Sequence, residues 1–464
     1  MMHCIPAVLA LSLCAGLASA QSITRATVVM ANGQSLPGTT GLTCSGLNDP
    51  YTNAAGQIGF TGSSSGGNFV WYDSAVVWLN SDGLPSVLTG AEGTMGVSNS
   101  GGFCYSPTID GDDGAWTQLG VLIVEDQPIP TLPGKLSAFA SRPSMSPDGT
   151  AYFVGDIRDV AAGTTTNRAF FRVSDPSNPV FDVLWIGGGT YGGLTITTGA
   201  SNFPYDVSDN NAHRVHVLTA TGSTATDLFV HYSATDSVIA REGSTAPGGG
   251  ENWVAFRIPS TNNAGSWLVA GDTNNPTTSI DEIVAYNNTI IAREGSSYGG
   301  RVFAGAIGAS SLNNREEVAF ISAGTTGVAP STLFVGAASS LSTCFTIAVG
   351  DSIDTDGDGN CDAIISDFNA SNTVAPGIDL AEDGMVYVNV DLTPCAGGTA
   401  NETIIGIRFR CKADFNGDGT LDFFDYLDFV AAFSQSAPSS DYNGDLTTDF
   451  FDDLDFVADF SSGC

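Results

Sequence analysis

The chain has 464 residues, with 49 Asp and Glu against 15 Lys and Arg and a formal net charge of −34. Such an acidic surface excludes nucleic acid and anionic membranes as partners, because both require a basic patch. Calcium, basic protein surfaces and neutral glycans remain compatible with it.

Residues 1–20 read as an export signal. An apolar run from Ile5 to Leu17 leads to the small-residue site Ala18-Ser19-Ala20, with cleavage before Gln21. The segment before the run carries no Lys or Arg, a departure from the usual pattern. No later apolar run reaches the roughly 18 residues of a membrane span, so the expected mature chain is soluble and secreted or held at the cell surface. Beyond the signal the cysteines are Cys44, Cys104, Cys344, Cys361, Cys395, Cys411 and Cys464. With no CxxC pair in an exported chain, these are expected to form disulfides rather than hold metal.

Residues 21–410 show almost no helical periodicity and are rich in Gly, Ser, Thr and Asn. They repeat. Ile239-Ala-Arg-Glu-Gly-Ser244 recurs as Ile291-Ala-Arg-Glu-Gly-Ser296, with an echo at Ile347-Ala-Val-Gly-Asp-Ser352. A polar turn followed by an apolar strand occurs at Asn53–Phe60, Asp112–Trp116, Pro147–Val154, Asp209–Val217, Asn262–Ala270, Asn313–Ile321 and Ala381–Val388. Each unit of roughly 50–60 residues implies one small antiparallel sheet. The strands are apolar on both faces, as in Trp267-Leu268-Val269-Ala270, which fits sheets covered on both sides. Sheets stacked around an axis bury their middle strands in this way. The pattern predicts a mainly β domain, a seven-bladed β-propeller. The second and third signatures are closely spaced, so six or eight blades stay open, as do tandem β-sandwiches. The repeats also resemble propeller-type repeats of exported bacterial proteins of unassigned function.

Motifs for catalysis do not hold together. Gly62-Ser-Ser-Ser-Gly66 matches a nucleophile elbow but no helix follows it. Gly187-Gly-Gly-Thr-Tyr-Gly192 is followed by a strand-like run instead of the helix that would hold a pyrophosphate. His213 and His216 are three apart in a strand, on opposite faces, and His231 stands alone. Asp354, Asp356, Asp358, Asn360 and Asp362 occupy positions 1, 3, 5, 7 and 9 of a calcium loop, with Gly359 at the sharp turn. Position 12 is Ile365, where Asp367 is a candidate substitute, and Cys361 within the loop is expected to pair with Cys344. Cys44–Cys104 is the next expected pair, leaving Cys395 free.

Residues 411–464 carry one acidic loop twice. Asp414, Asn416, Asp418, Thr420, Asp422 and Asp425 are followed by Asp441, Asn443, Asp445, Thr447, Asp449 and Asp452. Calcium takes six to eight oxygen ligands from a loop of about twelve residues, at these positions. Leu446 replaces the turn glycine in the second copy, which is expected to bind more weakly. Each loop precedes an apolar helical pattern: Phe423, Leu427, Val430, then Phe450, Leu454, Val457. Abundant aromatic residues argue against a disordered acidic tail.

A duplicated loop-and-helix unit with Asp at position 12 resembles a type I dockerin. Cys411-Lys-Ala-Asp-Phe-Asn-Gly-Asp-Gly and the terminal Gly463-Cys464 resemble the GC-type dockerins of exported planctomycete proteins. The resemblance implies a small α-helical Ca2+-binding domain that attaches its carrier to a cohesin-like protein or cell-surface component. It implies that the ends of the unit lie close, so that Cys411 bridges Cys464. It also implies partner contacts at loop positions 10 and 11, here Phe423, Phe424, Phe450 and Phe451. One Phe of each pair is expected on the buried helical face and its neighbour outside. Two functions follow: a non-catalytic propeller that binds or displays, possible glycan ligands included, or a polysaccharide-degrading glycosidase or lyase carried by the dockerin.

Overall fold

The computed structural model describes residues 23–79, 88–109, 112–191, 193–198, 204–221, 226–369, 377–416, 421–443 and 447–462. The expected export signal, Cys464 and the loop residues Asp418, Thr420 and Asp445 lie outside them. Six antiparallel sheets follow one another in chain order, within 44–79, 88–124, 135–186, 205–241, 260–293 and 307–348. Each has four strands laid side by side in sequence order, the first with a short fifth strand, Tyr51–Thr52. The ends of the domain meet in a composite sheet. There Thr24–Ala31 pairs antiparallel with Asn401–Arg408, which pairs with Met385–Pro394, which in turn pairs with Ile378–Leu380. Ser352–Asp354 and Ala363–Phe368 extend this sheet at its edge. The arrangement is a β-propeller closed by its first strand.

Packing explains why the strands are apolar on both faces. Side chains alternate across a strand, and each face here meets a different neighbouring sheet. Trp267 and Val269 join Val215, Val217 and Phe229 of the preceding sheet. Leu268 and Ala270 join Val318, Phe320 and Phe334 of the following one. The ring closes where Met30 and Ile404 of the composite sheet pack on Phe60, Phe69 and Trp71 of the first. Inner strands approach so closely that a Cβ on Gly96 would overlap the Met145 backbone.

The turn signatures are the hairpins between the innermost and second strands, with one correction. In the second sheet that hairpin is 98–102, between Leu88–Val97 and Phe103–Ile109. Asp112–Trp116 instead lies in the third strand, Asp112–Thr117, which accounts for its close spacing to the signature that follows.

Two helices end the chain, α1 (Phe423–Ser434) and α2 (Phe450–Ser462). Asp422 caps α1 by accepting from the Phe424 amide at 2.7 Å, and Asp425 reaches back to the Asp422 amide at 2.8 Å. Asp449 and Asp452 repeat both contacts at 2.8 Å at the start of α2. The equivalent residues Phe429 and Phe456 stack on each other at 4.1 Å and 1°, with neither exposed. Their partners are Phe415, Tyr426, Phe433, Tyr442 and Phe460. This corrects the expected helical face: Phe423, Leu427, Val430 and Phe450, Leu454, Val457 are exposed rather than core. Both patterns have helical spacing, and the core is the one built around the stacked Phe429–Phe456 pair.

The disulfides also differ from expectation. Cys361 bridges Cys395, while Cys344, Cys44 and Cys104 are free and buried. The register is the reason: Ala363 pairs with Pro394 in adjacent strands, which brings the flanking cysteines together. Cys411 is disulfide-bonded, and its pairing with Cys464 stays a proposal because Cys464 lies outside the described residues.

Candidate functional site

The described ends of both acidic loops meet in the same way. The Asp425 carboxylate accepts from the Asn416 amide at 3.1 Å, joining loop positions 12 and 3. Asp452 accepts from the Asn443 amide at 3.0 Å and the Tyr442 amide at 2.7 Å. Asp414, Asp425 and Asp452 are buried, in a segment with no Lys or Arg after Lys412. Buried carboxylates ordinarily require a compensating charge, and the donor set consists of hard oxygens. The described residues therefore fit Ca2+, which takes such ligands.

In the propeller's own acidic loop, Asp354, Asp356 and Asp362 come together, with ligand atoms within 4.8 Å of one another. Asp354 accepts from the amides of Gly357 at 2.6 Å and Gly359 at 2.9 Å. The field of these amides holds its carboxyl below the usual range. Asp358 and Asn360 instead bond to each other at the exposed tip, 2.9 Å apart. Asp367 is part of a strand, accepting from the Phe368 amide, and does not join the group.

The propeller axis holds a cavity of ≈ 190 Å3, to which the innermost segment of every sheet contributes. Sequence reasoning left this channel blank, because its residues come from distant repeats. Asp379 accepts from the Thr52 hydroxyl at 3.0 Å and the Ser311 hydroxyl at 3.3 Å, joining the composite sheet to the first and sixth. Asp206 of the fourth sheet accepts from the Ser260 hydroxyl at 2.9 Å and the Thr261 amide at 2.8 Å in the fifth. These carboxyls act as staples between sheets. The buried hydroxyls of Tyr51 and Thr94 also line the channel and have no partner among the described residues.

At one end of the channel the polar turns bond to one another. Asn53 donates to the Ser98 carbonyl at 3.0 Å, and the Asn99 amide to Pro147 at 2.9 Å. The Asn210 amide donates to Asn263 at 2.8 Å, Asn263 to Asn314 at 2.7 Å, and Asn314 to Glu382 at 2.7 Å. The repeated Asn pairs 210–211, 262–263 and 313–314 were the available signal: the side chain of the second Asn in each pair reaches back to the turn of the preceding sheet.

The other motifs are structural. Ser64 of the elbow-like run bonds to the Gly67 carbonyl in a hairpin. The run after Gly187 forms a small hairpin, Thr190–Tyr191 with Leu194–Thr195, between the third and fourth sheets. His213 stacks on His231 at 5.8 Å, whereas His216 is buried against Phe170.

Burial gives the propeller a pH dependence. It pushes Asp206 up to about 7, and, with Glu402 nearby, Asp49 also to about 7. Both carboxyls ionise near pH 4 when unfolded, so between pH 4 and 7 the folded state holds more protons and stability falls as pH rises. Burial holds His216 well below its ordinary value, an opposing effect confined to pH below about 6.5. The propeller's melting temperature is therefore expected to fall between pH 6.5 and 8, with a shallower slope in Asp206→Asn; calorimetry across that range checks it.

No protein family and no curated protein matches the chain. Among solved structures, the β-propeller domain of the Trilobed protease from Pyrococcus furiosus aligns at 8% identity and a TM-score of 0.41, over 78% of this chain and 95% of that one. A protein of unknown function from Dyadobacter fermentans aligns at 11% and 0.36, over 83% and 99%. A prolyl endopeptidase aligns at 10% and 0.39, over 78% and 50%. Among the described residues no helix is long and apolar enough to cross a membrane.

Proposed function

We propose that this is an exported Ca2+-binding protein whose dockerin-like C-terminal unit attaches a seven-bladed, non-catalytic binding or display propeller to a cohesin-like partner. The composite sheet counts as the seventh blade. The observation that carries the reading is the outer surface of α1 and α2. Phe423, Phe424, Phe450 and Phe451 are 62–64% exposed, and Leu427, Val430, Leu454 and Val457 continue both patches outward. A soluble protein rarely leaves such a contiguous apolar surface uncovered unless something docks there, and aromatic residues dominate binding hot spots. The two patches are equivalent by duplication, so either one can engage the partner. A binding role is favoured over polysaccharide cleavage because the channel carboxyls Asp206, Asp209, Asp379 and Glu382 are all occupied as inter-sheet acceptors.

In a pull-down from the native secretome, Phe424→Ala alone is expected to retain the partner and Phe424→Ala with Phe451→Ala to lose it. Melting curves should match wild type in both. A double variant that still captures every partner would place recognition elsewhere.

A further inference from the structure

The C-terminal unit is not tethered loosely. It meets the propeller at the end of the channel where the polar turns bond to one another. Arg315, in the Asn313–Glu317 turn, donates to the Phe415 carbonyl at 3.0 Å, and its guanidinium lies 4.6 Å from the centre of the Phe415 ring. Phe415 sits between Asp414 and Asn416, positions 1 and 3 of the first calcium loop. Its ring also packs edge-on against Phe429 at 5.4 Å and Phe456 at 6.1 Å. One residue thus belongs to the calcium loop, to the helical core and to the contact with the propeller.

The connection between the units is held from the same turn. Arg410 pairs with Glu317 and donates to the carbonyls of Cys411 at 2.9 Å and Lys412 at 3.3 Å. An acid of each unit also approaches the other here. Asp209 and Glu382 line this end of the channel. Asp441, position 1 of the second loop, lies close enough for its charge to act on Asp209. Arg315 and Arg410 supply the cationic contacts across the junction, and like charges in a poorly hydrated contact repel strongly.

We propose that calcium seats the C-terminal unit on the propeller and thereby covers the turn end of the channel. Bound ions neutralise the loop of Asp441, whose charge reaches Asp209, and they fix the backbone around Phe415 that Arg315 grips. Without calcium the unit loses its order and its charge balance together, and the turn end is uncovered. This rests on the calcium-loop reading above and adds a regulated contact between the units.

Hydrogen exchange of the full chain, read by mass spectrometry in calcium and in excess chelator, tests it alongside calorimetric titration with calcium. Amides in 209–217, 312–318 and 380–388 are expected to exchange at least about tenfold more slowly with calcium, while the buried strand Trp267–Asp272 is unchanged. Arg315→Gln should keep calcium binding and the helices but lose this protection. Calcium that binds without changing exchange at the turns overturns the inference and leaves the calcium loops standing. Absence of calcium binding overturns both. The comparison in the unaltered protein decides the matter without the variant, and full protection in a folded Arg315→Gln would also overturn the proposed grip.

Discussion

Chelating calcium is expected to erase the helical signal of α1 and α2 and leave the propeller folded. The reason lies in the accounting of charge. Asp425 and Asp452 are fully buried, every acid of the unit lies in a stretch without a single Lys or Arg beyond Lys412, and the amide contacts they accept do not cancel a net charge. An ion that neutralises them contributes its binding free energy to folding, because the unfolded chain has no preformed site. Far-UV circular dichroism of the full chain, taken as the difference between calcium and excess chelator, should show a helical spectrum that returns when calcium is restored. A difference spectrum with no helical component would remove calcium from the account of this unit.

Phe456→Ala is expected to unfold the same unit even when calcium is saturating. Phe456 stacks on Phe429 at 4.1 Å and also contacts Tyr442 at 5.4 Å, Phe460 at 5.8 Å and Phe415 at 6.1 Å. Truncating a buried Phe costs about 3–5 kcal/mol. A unit of this size rarely has more than about 3–5 kcal/mol from a single core, so the loss approaches its whole stability. Phe424→Ala, on an exposed position, should change stability by no more than about 0.5 kcal/mol. Calcium titrations followed by circular dichroism separate the two: the first variant should gain no helix and the second should follow wild type. Equal helix in both would mean that the outward patch, not the stacked pair, carries the fold.

The propeller was legible because its governing pattern is local. A polar turn, then a strand apolar on both faces, is enough to place a sheet between two others, and Trp267 to Ala270 shows both faces in use. The duplicated acidic loops stood out for the same reason, since their candidate ligands come from one short run. What escaped depends on pairing across distance. The Cys361–Cys395 bridge follows from strand register, which spacing along the chain does not reveal. The channel acids Asp206 and Asp379 meet their partners across sheet boundaries. The helical face was ambiguous because Phe423, Leu427, Val430 and Tyr426, Phe429, Phe433 have the same periodicity, and only the first set was read as core.

The closing strand has a consequence in time. Thr24–Ala31 finds its antiparallel partner only in Asn401–Arg408, nearly the full length of the domain away. A ribosome or a translocation pore delivers the first of these strands long before the second. Until then Met30, which is fully buried in the finished ring, must wait without the Ile404 neighbour that covers it. Contacts of such long sequence separation form late and slowly, and partly formed rings expose unpaired strand edges that invite association with other chains. The six sheets made of consecutive strands can assemble as they emerge, but the last act of folding belongs to the first strand made.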